Sequence, residues 1–351
     1  MSQSKERYAW VDYAKGICIC AVVTLYTTNY VNAEFDRANW MNYWIDFAHP
    51  FRMPDFFLLS GLFLSRVIDR PWRTYLDKKV VHYLYFLVLW TIIIIPFTWH
   101  SRGLHPNLNH AIKDIIWWLL DPWAMLWFIQ MLAIYFVITR LTRKVPWWIM
   151  LPAAALLQMY PFDTGVQVVN TFNERYVFFY TGYIFARYFF AFAEWVASNR
   201  PKAVLGLVAW AVINSVVVFS GWTSIPGVLL ILGYAGASAV MAVAALLQRY
   251  SWTNWLRYLG QNSIVIYLGF YLPMYFFIWA FTYLGLDRDL GSMAVGVGVL
   301  SILTAVLIFW STRNTFLSFL FKRPKWAHLP SPRPARHEGE RLAATTGGDR
   351  A

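Results

Sequence analysis

The chain has 351 residues, of which 59% are hydrophobic and only 14% charged, and it carries a net charge of +12. Soluble domains hold roughly 25% charged residues, so this composition excludes a water-facing globule, whatever two-domain reading the length alone suggests. The basic residues sit in short clusters between apolar runs instead of in a stripe with interleaved aromatics; that pattern excludes nucleic acid as a partner and fits membrane topology.

The elements expected in chain order are all α-helical, and they describe a polytopic integral membrane protein with about ten spans. The first run covers residues 11–31, the second 51–68 and the third 80–99. A short amphipathic piece at 112–120 precedes a fourth run at 123–139, followed by 145–160 and 176–195. The last four are 203–222, 225–247, 264–284 and 290–310. Each approaches the roughly 20 residues that cross a hydrocarbon core, the fifth being the shortest. With 20 Trp and 21 Tyr, the chain is rich in the side chains that gather where lipid meets water.

Lys and Arg set the orientation. One family of loops holds Lys5, Arg7, the cluster Arg66, Arg70, Arg73, Lys78 and Lys79, then Arg140, Arg143, Lys144, Arg200, Lys202, Arg249 and Arg257. The alternate loops hold only Arg37, Arg102, Lys113, Arg175 and Arg288. The richer side is the cytoplasm, so an even number of spans places both termini there, as for a multi-pass protein of the bacterial inner membrane. Asp12 and Lys15 interrupt the first run, which argues against a cleaved signal. Cys18 and Cys20, two apart on a helix, point in different directions, so neither a disulfide framework nor a metal site is expected. Residues 321–351 read as a disordered cytoplasmic tail rich in Pro, Arg, Gly and Thr. The absence of a matching pair of broken helices in the two halves weighs against a transporter built from inverted repeats.

Ionisable residues inside apolar runs are costly in lipid and are functional candidates. Two segments carry them: Asp12 and Lys15 at the start of the first run, which later holds Tyr26, and Arg52 and Asp55 at the start of the second. Tyr26 lies about 7–8 Å and Asp55 about 6 Å below the outer surface at 1.5 Å per residue. Antiparallel neighbours joined by a short loop pack together, so Tyr26, Arg52 and Asp55 are expected to share one outer pocket. Lys15 falls on nearly the same helix face some 16 Å deeper. A structural alternative stands beside this: Arg52 snorkels to the interface with Asp55 as its salt-bridge partner, Asp12 and Lys15 fix topology, and Ser60-Gly61 is a close-packing small pair.

At these residues the sequence resembles the membrane acyltransferase 3 family. The resemblance rests on Asp12-Tyr-Ala-Lys15-Gly16-Ile and on Phe51-Arg-Met-Pro54-Asp-Phe56-Phe57-Leu-Leu-Ser60-Gly61. Leu126-Trp127-Phe128-Ile129 and Leu259-Gly260-Gln261-Asn262-Ser263-Ile-Val-Ile-Tyr267-Leu268 add to it. It covers roughly residues 7–312, and it implies a transmembrane domain over 1–320 with a ten-span core. It also implies transfer of an acyl group, most simply acetyl, from an acyl-CoA-like donor to a hydroxyl of an envelope glycan or lipid, with no bound cofactor. Tyr26, Arg52 and Asp55 then become the candidate catalytic residues. Asp12, Lys15, Ser60, Trp127, Asn262, Ser263 and Tyr267 become the candidate substrate-binding residues.

This chain departs from the family at two histidines. A basic residue followed ten residues later by His is replaced by Lys15 and Tyr26, and Phe-His-Met-Pro reads Phe51-Arg52-Met53-Pro54. Imidazole titrates near neutrality without tuning, whereas a phenol near pKa 10 does not. Tyr26 is suited to donate a hydrogen bond to an oxyanion, with Asp55 or His49 as another base. Three function classes remain open: an O-acyltransferase whose donor meets the basic inner cluster, a non-catalytic relative that binds a lipid or partner, and a small-molecule exporter.

Overall fold

The computed structural model describes residues 8–101, 108–122, 124–160 and 163–330. Lys5, Arg7, Arg102, the first residue of the fourth expected span (Trp123) and the tail beyond residue 330 lie outside them. The helices run α1 (Ala9–Phe35), α2 (Met41–Ala48), α3 (Arg52–Gly61), α4 (Trp72–Leu76), α5 (His82–Ser101) and α6 (Leu108–Leu120). They continue as α7 (Trp127–Leu141), α8 (Trp147–Met159), α9 (Gln167–Ile184), α10 (Ala186–Ser198) and α11 (Arg200–Phe219). The last are α12 (Val228–Leu247), α13 (Asn254–Gln261), α14 (Ser263–Gly269), α15 (Tyr271–Tyr283) and α16 (Leu290–Thr312). Among the described residues there is no strand.

Five of these are long and apolar enough to cross a membrane: α1, the continuous helix Trp72–Phe97, α11, α12 and α16. The pair α14 and α15, bent by 51° at Phe270, makes a sixth if it is one crossing. Within α1 and α12, 56% of the apolar window is buried inside the protein, against 11% for α11. The first two are therefore central and α11 is a peripheral, lipid-facing helix.

Close backbone approach builds the centre. Gly16 of α1 and Gly260 of α13 face each other, and a Cβ on either would overlap the Leu256 or Asp12 carbonyl oxygen respectively. Gly61 of α3 and Gly182 of α9 repeat the arrangement against the Phe179 and Leu58 carbonyls. In lipid, where apolar burial does not drive helix association, such small-residue crossings let van der Waals contact do so. At the outer end, the Trp40 indole packs on Gly291 and donates to Asp289, whose carboxylate also accepts from the Gly291 and Ser292 N–H groups that open α16. At the α6–α7 junction, Gln130 donates to the Leu119 and Leu120 carbonyls that end the amphipathic α6.

Several boundaries differ from expectation for physical reasons. The second run does not stay helical to residue 68: α3 stops at Gly61, where the crossing with α9 occurs, and the chain continues in turns. The sixth run is two helices broken at Phe185, and its crossing helix α9 begins at Gln167, so that Arg175 stands within a helix and not in a loop. Thr171 and Asn173 make this start look like loop in the sequence, but both are buried against protein, with the Tyr135 hydroxyl donating to the Thr171 carbonyl. The third run starts earlier, passing from α4 through a π-helical turn at Asp77–Val81. Residues 321–330, assigned to the tail, pack on that turn: Phe321 and Arg323 are buried, and Arg323 pairs with Asp77 at 2.7 Å.

Candidate functional site

A groove of about 1080 Å³ lies between α1, α13 and α16. Its lining includes Cys20, Thr24, Trp44, Leu256, Gly298 and Trp310 and no charged side chain, so it offers lipid contact and no chemistry. The polar residues converge on the other side of α1.

There, a cavity of about 300 Å³ is lined at one end by Asp12, Lys15, His82 and Gln261, and elsewhere by Ser60, Ser263 and Tyr267. Helix α1 delivers Asp12 and Lys15 one turn apart, and the glycine crossing brings α13 alongside. Gln261 donates to the Asp12 carboxylate at 3.1 Å, and Arg257 approaches it at 3.8 Å. Ser60 spends its hydroxyl on the Phe56 carbonyl, one turn back in α3. Phe56, Phe128 and Tyr267 also line a much smaller pocket, about 10 Å³, shared with Tyr26 and Trp127. These three rings form the constriction between the two spaces.

Tyr26 is half-buried above that constriction and accepts a hydrogen bond from the Trp127 indole at 3.2 Å. The Tyr267 hydroxyl is buried and faces the Phe128 and Ile129 N–H groups in the first turn of α7 without a hydrogen bond to any described residue. Two phenolic hydroxyls therefore flank the narrow space, both suited to donate to an oxygen that develops negative charge.

Arg52 lies close enough to act electrostatically on Tyr26, as does Arg175, whose guanidinium sits 5.0 Å from the Trp127 ring centre. Arg52 is buried and donates only to the Ile45 carbonyl, at 3.4 Å. Asp55 does not join them. Its carboxylate is buried on the side of α3 that faces Cys18, and it lines neither cavity. Among the described residues no ion pair links it to Arg52, so neither a shared outer pocket for all three side chains nor an Arg52–Asp55 salt bridge is present. Asn262 is also outside both cavities and caps α13 by donating to the Tyr258 carbonyl. His49 is exposed at the end of α2.

Sequence reasoning missed His82, Gln261, Arg257 and Arg175. His82 follows the basic pair Lys78 and Lys79, which the sequence offers as topology or as a donor contact, and no motif block includes it. Its imidazole packs edge-on against Phe86 at 5.1 Å and contributes to the cavity lining. Apolar flanks mark Arg175 as a loop residue only if α9 is assumed to start after it.

The model of a family described as acyltransferase domain matches residues 8–313. The chain is similar to Inner membrane protein YcfT of Escherichia coli K12, with 27% identity over 40% of this chain and 45% of that protein. It is also similar to Nodulation protein NolL of Mesorhizobium japonicum, with 24% identity over 50% of this chain and 47% of that protein. The chain thus spans about half the length of each of these relatives. No solved structure matches.

Proposed function

Because this chain belongs to the acyltransferase 3 family, we propose that it transfers an acyl group, most simply acetyl, from an acyl-CoA-like donor to a hydroxyl of an envelope glycan or lipid. The observation that carries this reading is a polar cavity at Lys15 and His82 that shares the Phe56, Phe128 and Tyr267 rings with the small space at the Tyr26–Trp127 pair. A long thioester donor fits such a path, with its anionic end near Lys15 and the basic inner loops and its carbonyl beneath Tyr26.

In the reaction proposed, the acceptor hydroxyl attacks the thioester carbonyl, a C–O bond forms, and the C–S bond breaks. The hydroxyl proton ends on the departing thiolate. Tyr26 and Tyr267 donate to the carbonyl oxygen as it becomes an oxyanion. His82, in place of an imidazole on α1, carries the proton within the inner cavity. Lys15 pairs with the anionic end of the donor, and the Asp12, Gln261 and Arg257 contacts hold the base of α1 in position. The protein resides in the bacterial inner membrane, as the name of its Escherichia coli relative suggests for that protein. Ten crossings with both termini inside agree with the Lys and Arg distribution, the shorter α3, α7, α8 and α9 completing the count.

Cysteine protection tests the donor path. Acetyl-CoA should slow maleimide alkylation of a Ser263→Cys variant in a Cys18→Ala, Cys20→Ala background. It should leave Thr24→Cys, in the lipid-facing groove, unaffected. Equal rates with and without acetyl-CoA at position 263 would remove the cavity as the donor site.

A further inference from the structure

Arg52 is the buried charge of the outer half that the transfer reaction leaves unused. Only 6% of the residue is exposed. Its one hydrogen bond, at 3.4 Å to the Ile45 carbonyl, uses Nη1, and its buried Nε has no partner. A guanidinium stays charged in any protein environment, so a buried one needs a counter-charge or hydrogen-bond acceptors to offset its desolvation. The nearby acids do not supply them. Asp55 makes no ion pair with Arg52 among the described residues, and Glu174 is taken by Arg175 at 2.6 Å. Asp46 attracts Arg52 at longer range, and no ion pair joins the two among the described residues.

A second guanidinium stands opposite. Arg175 and Arg52 repel one another, and both act on the Tyr26 hydroxyl. Arg175 reaches the site over Trp127, the residue whose indole holds Tyr26. Its side chain is 26% exposed and that of Glu174 45%, so this corner opens outward. Two like charges that both act on Tyr26, one with a buried Nε left without a partner, match the donors that a carboxylate or phosphate takes up through parallel N–H bonds.

We propose that Arg52 and Arg175 form an anion subsite for the acyl acceptor, in which a carboxylate or phosphate on the acceptor bridges the two guanidiniums and sets a neighbouring hydroxyl beside Tyr26. The inference deepens the acyltransferase reading and rests on it for the word acceptor. The anion site itself is tested by binding and needs no turnover.

The test is calorimetric titration of the purified full-length protein in phosphatidylcholine nanodiscs with glucuronate, glucose 1-phosphate and glucose. Both anionic sugars should bind at least about tenfold more tightly than glucose, with an affinity that falls as salt is added. Arg52→Gln should erase the preference, and Arg52→Lys should keep part of it as a point charge. In discs containing phosphatidylglycerol, weaker glucuronate binding would identify a lipid headgroup as the natural anion, and unchanged binding would identify the sugar. Equal affinity of the wild type for all three sugars would overturn the proposal even if Arg52→Gln fails to fold, and so would a preference that survives in folded Arg52→Gln. An anion preference without any reaction of acetyl-CoA would retain the subsite while removing the acyltransferase reading.

Discussion

The indole N–H of Trp127 donates to the hydroxyl of Tyr26 at 3.2 Å and so joins the first turn of α7 to the outer part of α1. The bond holds the Tyr26 hydroxyl, with its phenolic proton, beside the Phe56, Phe128 and Tyr267 rings that line both spaces. If that proton meets the reacting oxygen, Tyr26→Phe should lower acyl transfer by at least about tenfold, equivalent to roughly 1.4 kcal/mol of barrier. The stability cost should be only about 0.5–1.5 kcal/mol, the net value of one hydrogen bond. Tyr26→His restores the side chain typical of the family and should raise transfer above the Phe variant. Turnover in Tyr26→Phe equal to wild type would leave Tyr26 a packing residue.

Asp55 leads to the opposite expectation. Its Oδ1 has no hydrogen-bond partner, and the side chain lines neither cavity. Replacing an unpaired buried acid by its neutral amide removes a charge that nothing described compensates. Asp55→Asn should therefore keep folded yield, measured by size-exclusion chromatography, and should keep transfer within about threefold of wild type, since about 0.7 kcal/mol covers that range. A loss of activity beyond tenfold at normal yield would return Asp55 to the reacting groups.

Asp289 provides a pH-dependent contact outside the spans. Hydrogen bonds from the Ser292 hydroxyl, the Trp40 indole and the two N–H groups of α16 hold its carboxyl below the usual carboxylate value. The folded pKa is the lower one, so the stabilisation is complete above the unfolded value of about 3.9 and disappears as pH falls through the folded value. Thermal melts should show wild type above Asp289→Asn at pH 7. The two curves should converge as pH drops below about 4. A gap that stays constant down to low pH would show that the contact does not depend on the carboxylate.

Much of this architecture is legible in the sequence, and the unread parts share a cause. The first run predicts α1 closely because its apolar length persists past Asp12 and Lys15, and 112–120 predicts the core of α6 because its periodicity is strong. The convergence of Tyr26, Trp127 and Tyr267, and that of Asp12, Lys15, Ser60 and Ser263, follows from motif blocks on four separate segments. Hydropathy does not reveal what depends on partners. Thr171 and Asn173 read as loop until packing against neighbouring helices buries them, and Phe185 breaks a helix with neither Gly nor Pro at the break. Arg175 reaches the site only through α9, which starts before the expected run, whereas His82 lies inside the third expected run and its approach to the cavity depends on how α5 packs.

The most direct test of the central claim is acyl transfer or hydrolysis of labelled acetyl-CoA by the purified protein in nanodiscs containing envelope lipids and glycans, with wild type set against His82→Gln. The wild type should release free CoA faster than empty discs, and His82→Gln should fall by about 100-fold or more, in the range of a lost proton carrier, at unchanged folded yield. Release of CoA no faster than in empty discs, with the wild-type protein folded, would contradict the assignment of this chain as an acyl-CoA-dependent transferase.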